Sequence, residues 1–132
     1  MIMVRLEAQE RQFTYSNAGH PAGLLLSAQG EIKAQLKRQG VPLGIRQQSV
    51  YPSSEVMPLD QGDILFLYTD GFDEAMSMDE HFFGVDAIVE VIRSNRQLEA
   101  SRILQALRAS VDTFTGKQPQ SDDLTGILIK VL

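Results

Sequence analysis

Cysteine and tryptophan are absent from the 132-residue chain, and histidine occurs only twice, as His20 and His81. Without cysteine there is no disulfide framework, no thiolate nucleophile and no thiolate zinc site. Two histidines are too few for a His-rich metal centre. Basic residues are also scarce: 12 Lys and Arg stand against 17 Asp and Glu, a net charge of −5. That balance, with no Lys/Arg cluster, excludes binding to a nucleic-acid backbone. Long apolar runs are missing too. Ile64–Tyr68 falls far short of the ~20 residues a membrane span requires. Met1–Val4 runs straight into Arg5 and Glu7, which is not the pattern of a signal peptide. The expectation is a soluble, cytoplasmic protein with no nucleic-acid or membrane contact.

What remains is ordinary globular material, 43% hydrophobic and 22% charged. It suits one domain over residues 1–132. Met1–Ala8 and Gln12–Ser16 read as a hairpin, and Gly23–Ser27 with Glu31–Leu36 as a second, with Gly30 available for positive φ. Ser49–Met57 reads as a weaker strand whose Pro52 suggests an edge. Pro58–Asp63 is a turn that launches Ile64–Thr69, a continuous apolar run expected to be buried on both faces. Helical spacing follows over Val85–Arg93 and Leu98–Phe114, with Gly116 as a stop. Leu124–Leu132 is a closing apolar strand. Strands, then helices, then a strand predict α+β layers.

The acidic residues fall at informative places. Asp70 ends the Ile64–Thr69 strand, with Gly71, Asp73 and Glu74 just beyond. Asp122 and Asp123 precede the closing strand. Antiparallel pairing of these two strands brings the carboxylates together. Converging carboxylates with oxygen donors suit a hard divalent cation, Mg²⁺ or Mn²⁺. The same residues are also ordinary turn formers, Asp-Gly after a strand and Ser-Asp-Asp before one. Spacing alone leaves both readings open.

A resemblance goes further. Tyr15-Ser16-Asn17-Ala18-Gly19-His20-Pro21, Pro42-Leu43-Gly44, Leu59-Asp60-Gln61-Gly62-Asp63, Thr69-Asp70-Gly71-Phe72-Asp73-Glu74-Ala75, Phe82-Phe83-Gly84 and Asp122-Asp123-Leu124-Thr125 occur in that order. Together they resemble the PPM-type serine/threonine phosphatases of bacteria, in the SpoIIE-like branch. The resemblance implies an αββα sandwich of two antiparallel sheets flanked by helices, with two Mn²⁺ or Mg²⁺ ions in the complete domain. It implies metal ligation by Asp70 and Asp122. Glu74 stands where an additional acid serves a more weakly held metal, Asp123 is the second acid of its motif, and Gly71 would let the backbone turn tightly beside the metal. The implied substrate is a regulatory phosphoprotein such as an anti-sigma-factor antagonist, and the implied partner in the chain is an upstream sensor or regulatory domain.

The resemblance covers the C-terminal part of the family domain, so an N-terminally incomplete domain is expected. The family's Gly-Asp-x-x-Gly-His-Gly segment, whose Asp bridges the metals, does not occur. Two cations ~3.5–4 Å apart repel and need that bridge. The chain alone is therefore expected to have little phosphatase activity, with Met1 read as an internal cut or a shortened start. A non-catalytic remnant that binds a phosphoprotein or regulator is the alternative, and a homodimer paired through sheet edges is a third reading. His20 is either a proton donor near the phosphate or, the favoured reading, a stiffener of the turn before Pro21. His81 is expected in solvent, Arg46 is a surface residue or a phosphate contact, and the two helices cover a sheet or switch with a regulatory domain.

Overall fold

The computed structural model describes residues 1–116 and 122–132. Its elements run β1 (Ile2–Glu7), β2 (Gln12–Asn17), β3 (Gly23–Leu26), β4 (Ile32–Leu36), β5 (Met57–Pro58), β6 (Ile64–Tyr68), α1 (Gly84–Asn95), α2 (Ala100–Thr115) and β7 (Gly126–Lys130). They form two antiparallel sheets, ordered β1-β2-β5 and β4-β3-β6-β7. Both expected hairpins are present, and Gly30 turns the second with φ 86°. Its missing side chain has a second use, since a Cβ there would meet the Arg93 side chain of α1 at 2.7 Å.

The period of two in β6 builds the layers. Ile64, Phe66 and Tyr68 face the helices, where they join Leu24, Leu26, Ile88, Ile92, Ile103 and Leu107. Leu65 and Leu67 face the other sheet, packing with Phe13, Leu25, Leu36 and Leu59. The continuous apolar run is therefore buried on both sides, as its composition predicts. The helices pack against one another and cover the four-stranded sheet, so the described residues supply a sheet, a sheet and a helical layer. No described helix lies on the outer face of the three-stranded sheet. None is long and apolar enough to cross a membrane among the described residues.

The helix limits follow local chemistry. Gly116, at φ 63°, ends α2 and its N–H bonds the Asp112 carbonyl. Lys130 in β7 donates to the Arg96 and Leu98 carbonyls at 2.7 and 2.8 Å, satisfying acceptors beyond the end of α1.

One expected strand is corrected. Residues 49–56 are not a strand, and only Met57–Pro58 pair with β2. Pro52 has no N–H to offer a ladder. The segment is instead pinned at one point, with the Ser54 N–H on the Tyr15 carbonyl at 2.7 Å and the Tyr15 N–H on the Ser54 hydroxyl at 3.0 Å.

The Leu59–Asp63 turn is held by charge. Asp63 is buried, and its carboxylate accepts the Asp60 N–H at 2.9 Å and the Lys33 ammonium. Lys33 also reaches Asp60 at 2.7 Å. Burial pulls the Lys33 ammonium down, but its hydrogen bonds to Asp60 and Asp63 outweigh this and hold it above its ordinary value.

Candidate functional site

β6 and β7 pair antiparallel, with Tyr68 opposite Gly126 and Ile64 opposite Lys130. The end of one strand therefore meets the start of the other, as the position of the acids requires. Thr69 closes this junction. Its N–H donates to the Thr125 carbonyl at 2.9 Å and its hydroxyl to the Asp123 carbonyl at 2.9 Å, while the hydroxyl accepts the Thr125 N–H at 3.1 Å. Asp123 thus serves the junction through its backbone, and its side chain is exposed. Asp122 accepts the Asp123 N–H at 2.7 Å, a local Asx contact. Ser121, the serine of the expected Ser-Asp-Asp turn, lies outside the described residues.

Gly71 lies in a turn, as expected, and has a further physical role. It is not among the positive-φ residues. What it provides is clearance: a Cβ would lie 2.5 Å from the Asp123 carbonyl oxygen and 3.5 Å from that of Asp122. The two acid-bearing segments approach closely because one of them has no side chain at the crossing point.

Asp70, Gly71, Glu74 and Asp122 line one cavity of about 290 Å³, with Met76 and Phe82 at its apolar side. Asp70 and Glu74 also line a larger cavity of about 460 Å³, with Asp73, Tyr68, Val85, Pro21, Ala22, Lys37 and Arg38. These two acids are the wall the cavities share. A turn holds them, with the Phe72 N–H on the Thr69 carbonyl at 3.1 Å and the Glu74 N–H on the Asp70 carbonyl at 2.8 Å. Phe72 nails that turn into the core, edge-on to Phe66 and Tyr68 at 5.6 and 6.3 Å.

Negative charge is concentrated here. Burial raises the Asp73 carboxyl, and the neighbouring Glu74 and Asp70 charges add to the effect. Its Oδ1 is buried with no hydrogen-bond partner among the described residues. Tyr68 is pushed up to about 12 by burial and by the Asp73 charge, so it remains a neutral phenol.

The Asn17–Pro21 turn borders the larger cavity through Pro21. Asn17 is fully buried. Its amide accepts the His20 N–H at 2.8 Å and donates to the His20 and Leu36 carbonyls at 3.2 and 2.9 Å. Its backbone N–H meets the Gln39 side chain and its carbonyl accepts the Gln39 N–H, both at 2.9 Å. Lys37 and Arg38 thus project from a two-residue span tied to Asn17 on both sides. The Arg38 Nε donates to the His20 carbonyl at 3.3 Å. The His20 ring is half-buried, with Nδ1 3.1 Å from the Pro21 carbonyl. His81 is exposed, as expected. Arg46 lines a separate cavity beside Tyr51. Lys37 and Arg38 had no signal in the sequence, because their position beside the acids depends on how β4 meets the Asn17 turn.

Oxygen donors of the right kind for a hard divalent cation are present in Asp70, Glu74 and Asp122. They fall short in number and closeness: among the described residues no group of three or more His, Asp or Glu forms a metal-holding cluster. These residues alone do not complete a metal centre.

The family model for Stage II sporulation protein E (SpoIIE) matches residues 1–132. Protein IcfG of Synechocystis sp. is 28% identical over 124 residues, covering 94% of this chain and 19% of that protein. Phosphoserine phosphatase RsbU of Bacillus subtilis is 32% identical over 74 residues, 56% of this chain and 22% of that protein. Among solved structures, the SiaA-PP2C domain of Pseudomonas aeruginosa superposes with a TM-score of 0.82 at 23% identity, covering 98% of this chain and 50% of that one. RsbX in complex with magnesium superposes at 0.65 with 21% identity, covering 96% and 53%. At such identities the superpositions establish the fold. The chain spans about half of the solved phosphatase domains and about a fifth of the sequence relatives. On the family match over its full length, the chain belongs to the SpoIIE (Stage II sporulation protein E) family, and its two-sheet fold is that of the PP2C phosphatase domains.

Proposed function

We propose that this chain is the C-terminal part of a metal-dependent protein phosphatase domain, acting on phosphoserine or phosphothreonine of a regulatory protein such as an anti-sigma-factor antagonist. The observation that carries the reading is the shared cavity of Asp70, Glu74 and Asp122, at a junction locked by Thr69 and cleared by Gly71. These three carboxylates would hold Mn²⁺ or Mg²⁺ together with donors beyond the described residues, and Asp123 would support Asp122 through its backbone. A bound divalent ion supplies Lewis acidity and a water of lowered pKa. The chain's own residues position the acids, through the Phe72 anchor and the Thr69 junction. We assign His20 to positioning, since its carbonyl holds Arg38 and its ring nitrogen faces the Pro21 carbonyl.

The test is Mn²⁺-dependent phosphate release from a phosphoserine protein by the native-length protein. Asp70→Asn is expected to lower kcat by about 100-fold or more, in line with losing a group that acts only in the transition state, while thermal unfolding stays close to wild type. An unchanged rate removes Asp70 from the site. The 132-residue chain by itself is expected to release little phosphate, because its described acids do not complete a metal centre. The alternative is a phosphoprotein-binding remnant. It predicts binding of the phosphoprotein without turnover at native length.

A further inference from the structure

The larger cavity has two signs of charge. Asp70, Asp73 and Glu74 line it, and so do the cationic Lys37 and Arg38. We propose that Lys37 and Arg38 form an anchoring subsite in this cavity for the phosphoryl group of a phosphoserine or phosphothreonine side chain. The inference rests on the phosphatase reading for its substrate and on the cavity for its location.

Three features of the structure carry it. The pair is placed by construction, since the Leu36 carbonyl on one side and Gln39 on the other are both bonded to the buried Asn17. Arg38 is oriented as well as placed. Its Nε is committed to the His20 carbonyl, which fixes the guanidinium plane and leaves its terminal nitrogens as the donors suited to paired phosphate oxygens. The cavity, at about 460 Å³, has room for a phosphorylated side chain. A dianion is repelled by the three carboxylates, so within this cavity Lys37 and Arg38 are its favourable contacts. Neither residue has an acidic side-chain partner among the described ion pairs, whereas Lys33, Arg93 and Arg108 do.

The experiment measures binding first, so that it does not depend on turnover. A fluorescent phosphoserine peptide and its unphosphorylated twin are titrated with this chain in chelator, by anisotropy. Wild type is expected to prefer the phosphopeptide, and Lys37→Ala/Arg38→Ala to lose about ten-fold or more of that preference, the scale of a lost charge-assisted hydrogen bond. Arg38→Lys should recover only part of it, because an ammonium lacks the fork. Inorganic phosphate should compete. Both side chains are exposed, and circular dichroism verifies that the variants fold. No preference in wild type, or an equal preference in the double variant, overturns the subsite. With the native-length protein, the double variant should raise KM about ten-fold and leave kcat within about two-fold. Turnover with an unchanged KM sinks the subsite and keeps the phosphatase. Phosphate-dependent binding through this pair without any turnover keeps the subsite and sinks the phosphatase.

Discussion

The Thr69 hydroxyl donates a 2.9 Å hydrogen bond to the Asp123 carbonyl, across 54 residues of chain. With Gly71 beneath the same carbonyl, it holds the two acid-bearing segments in register. Thr69→Val keeps the shape but leaves the Thr125 N–H without its hydroxyl acceptor, at an expected cost of about 1–2 kcal/mol. Gly71→Ala is expected to cost about 1–3 kcal/mol, because its Cβ meets backbone and not a movable side-chain tip. Denaturant unfolding measures both. A neutral Gly71→Ala would mean that the Asp122–Asp123 segment can retreat freely.

Asn17 is the hub of the turn beside the larger cavity, and three of its four amide hydrogen-bond positions are filled by backbone. Asn17→Ala should destabilise by about 1–3 kcal/mol by stranding buried backbone groups. Asn17→Asp should be worse at neutral pH, since a buried carboxylate would face the His20 and Leu36 carbonyls it can no longer donate to. Equal losses for the two variants, in urea melts, would show that the amide donors matter little.

Lys33 supplies the pH dependence. Its folded value lies above the ordinary 10.5, despite burial, because Asp60 and Asp63 hydrogen-bond it. A raised value means the charged form is favoured in the folded state. The contribution is complete below the unfolded value and is lost as pH rises through the folded one. Lys33→Met should destabilise by about 3 kcal/mol near neutrality, since it leaves the buried Asp63 without its cation. The gap between wild type and variant should narrow above pH 10.5. A constant gap from neutral to strongly alkaline pH would remove this ion pair as its cause.

Much of the chain was legible from pattern. The continuous apolar run at Ile64–Thr69 and period 3.6 in the two helices follow from side-chain geometry, so burial on both faces of the strand could be read without a partner in view. The antiparallel meeting of Asp70 and Asp122 followed from the same logic. The segment 49–57 was read as a weak edge strand, whereas only Met57–Pro58 pair, at the edge beside β2, and Ser54 is held to Tyr15 by two tertiary hydrogen bonds. Gly71 was read as a turn residue, and it lies in the turn after β6. Its second use, room for the Asp123 backbone, exists only where two distant segments cross.

By itself, the sequence determined the elements apart from the 49–57 strand, the family resemblance and the candidate acids, because periodicity, turn chemistry and ordered motifs are properties of neighbours along the chain. Only the tertiary structure decided that Lys37 and Arg38 share a cavity with Asp70, that Asp63 is a buried partner of Lys33, and that Asp123 acts through its carbonyl. Those relations depend on distances between segments far apart in sequence. Such distances are set by how sheets stack and strand ends meet, and no local pattern encodes them.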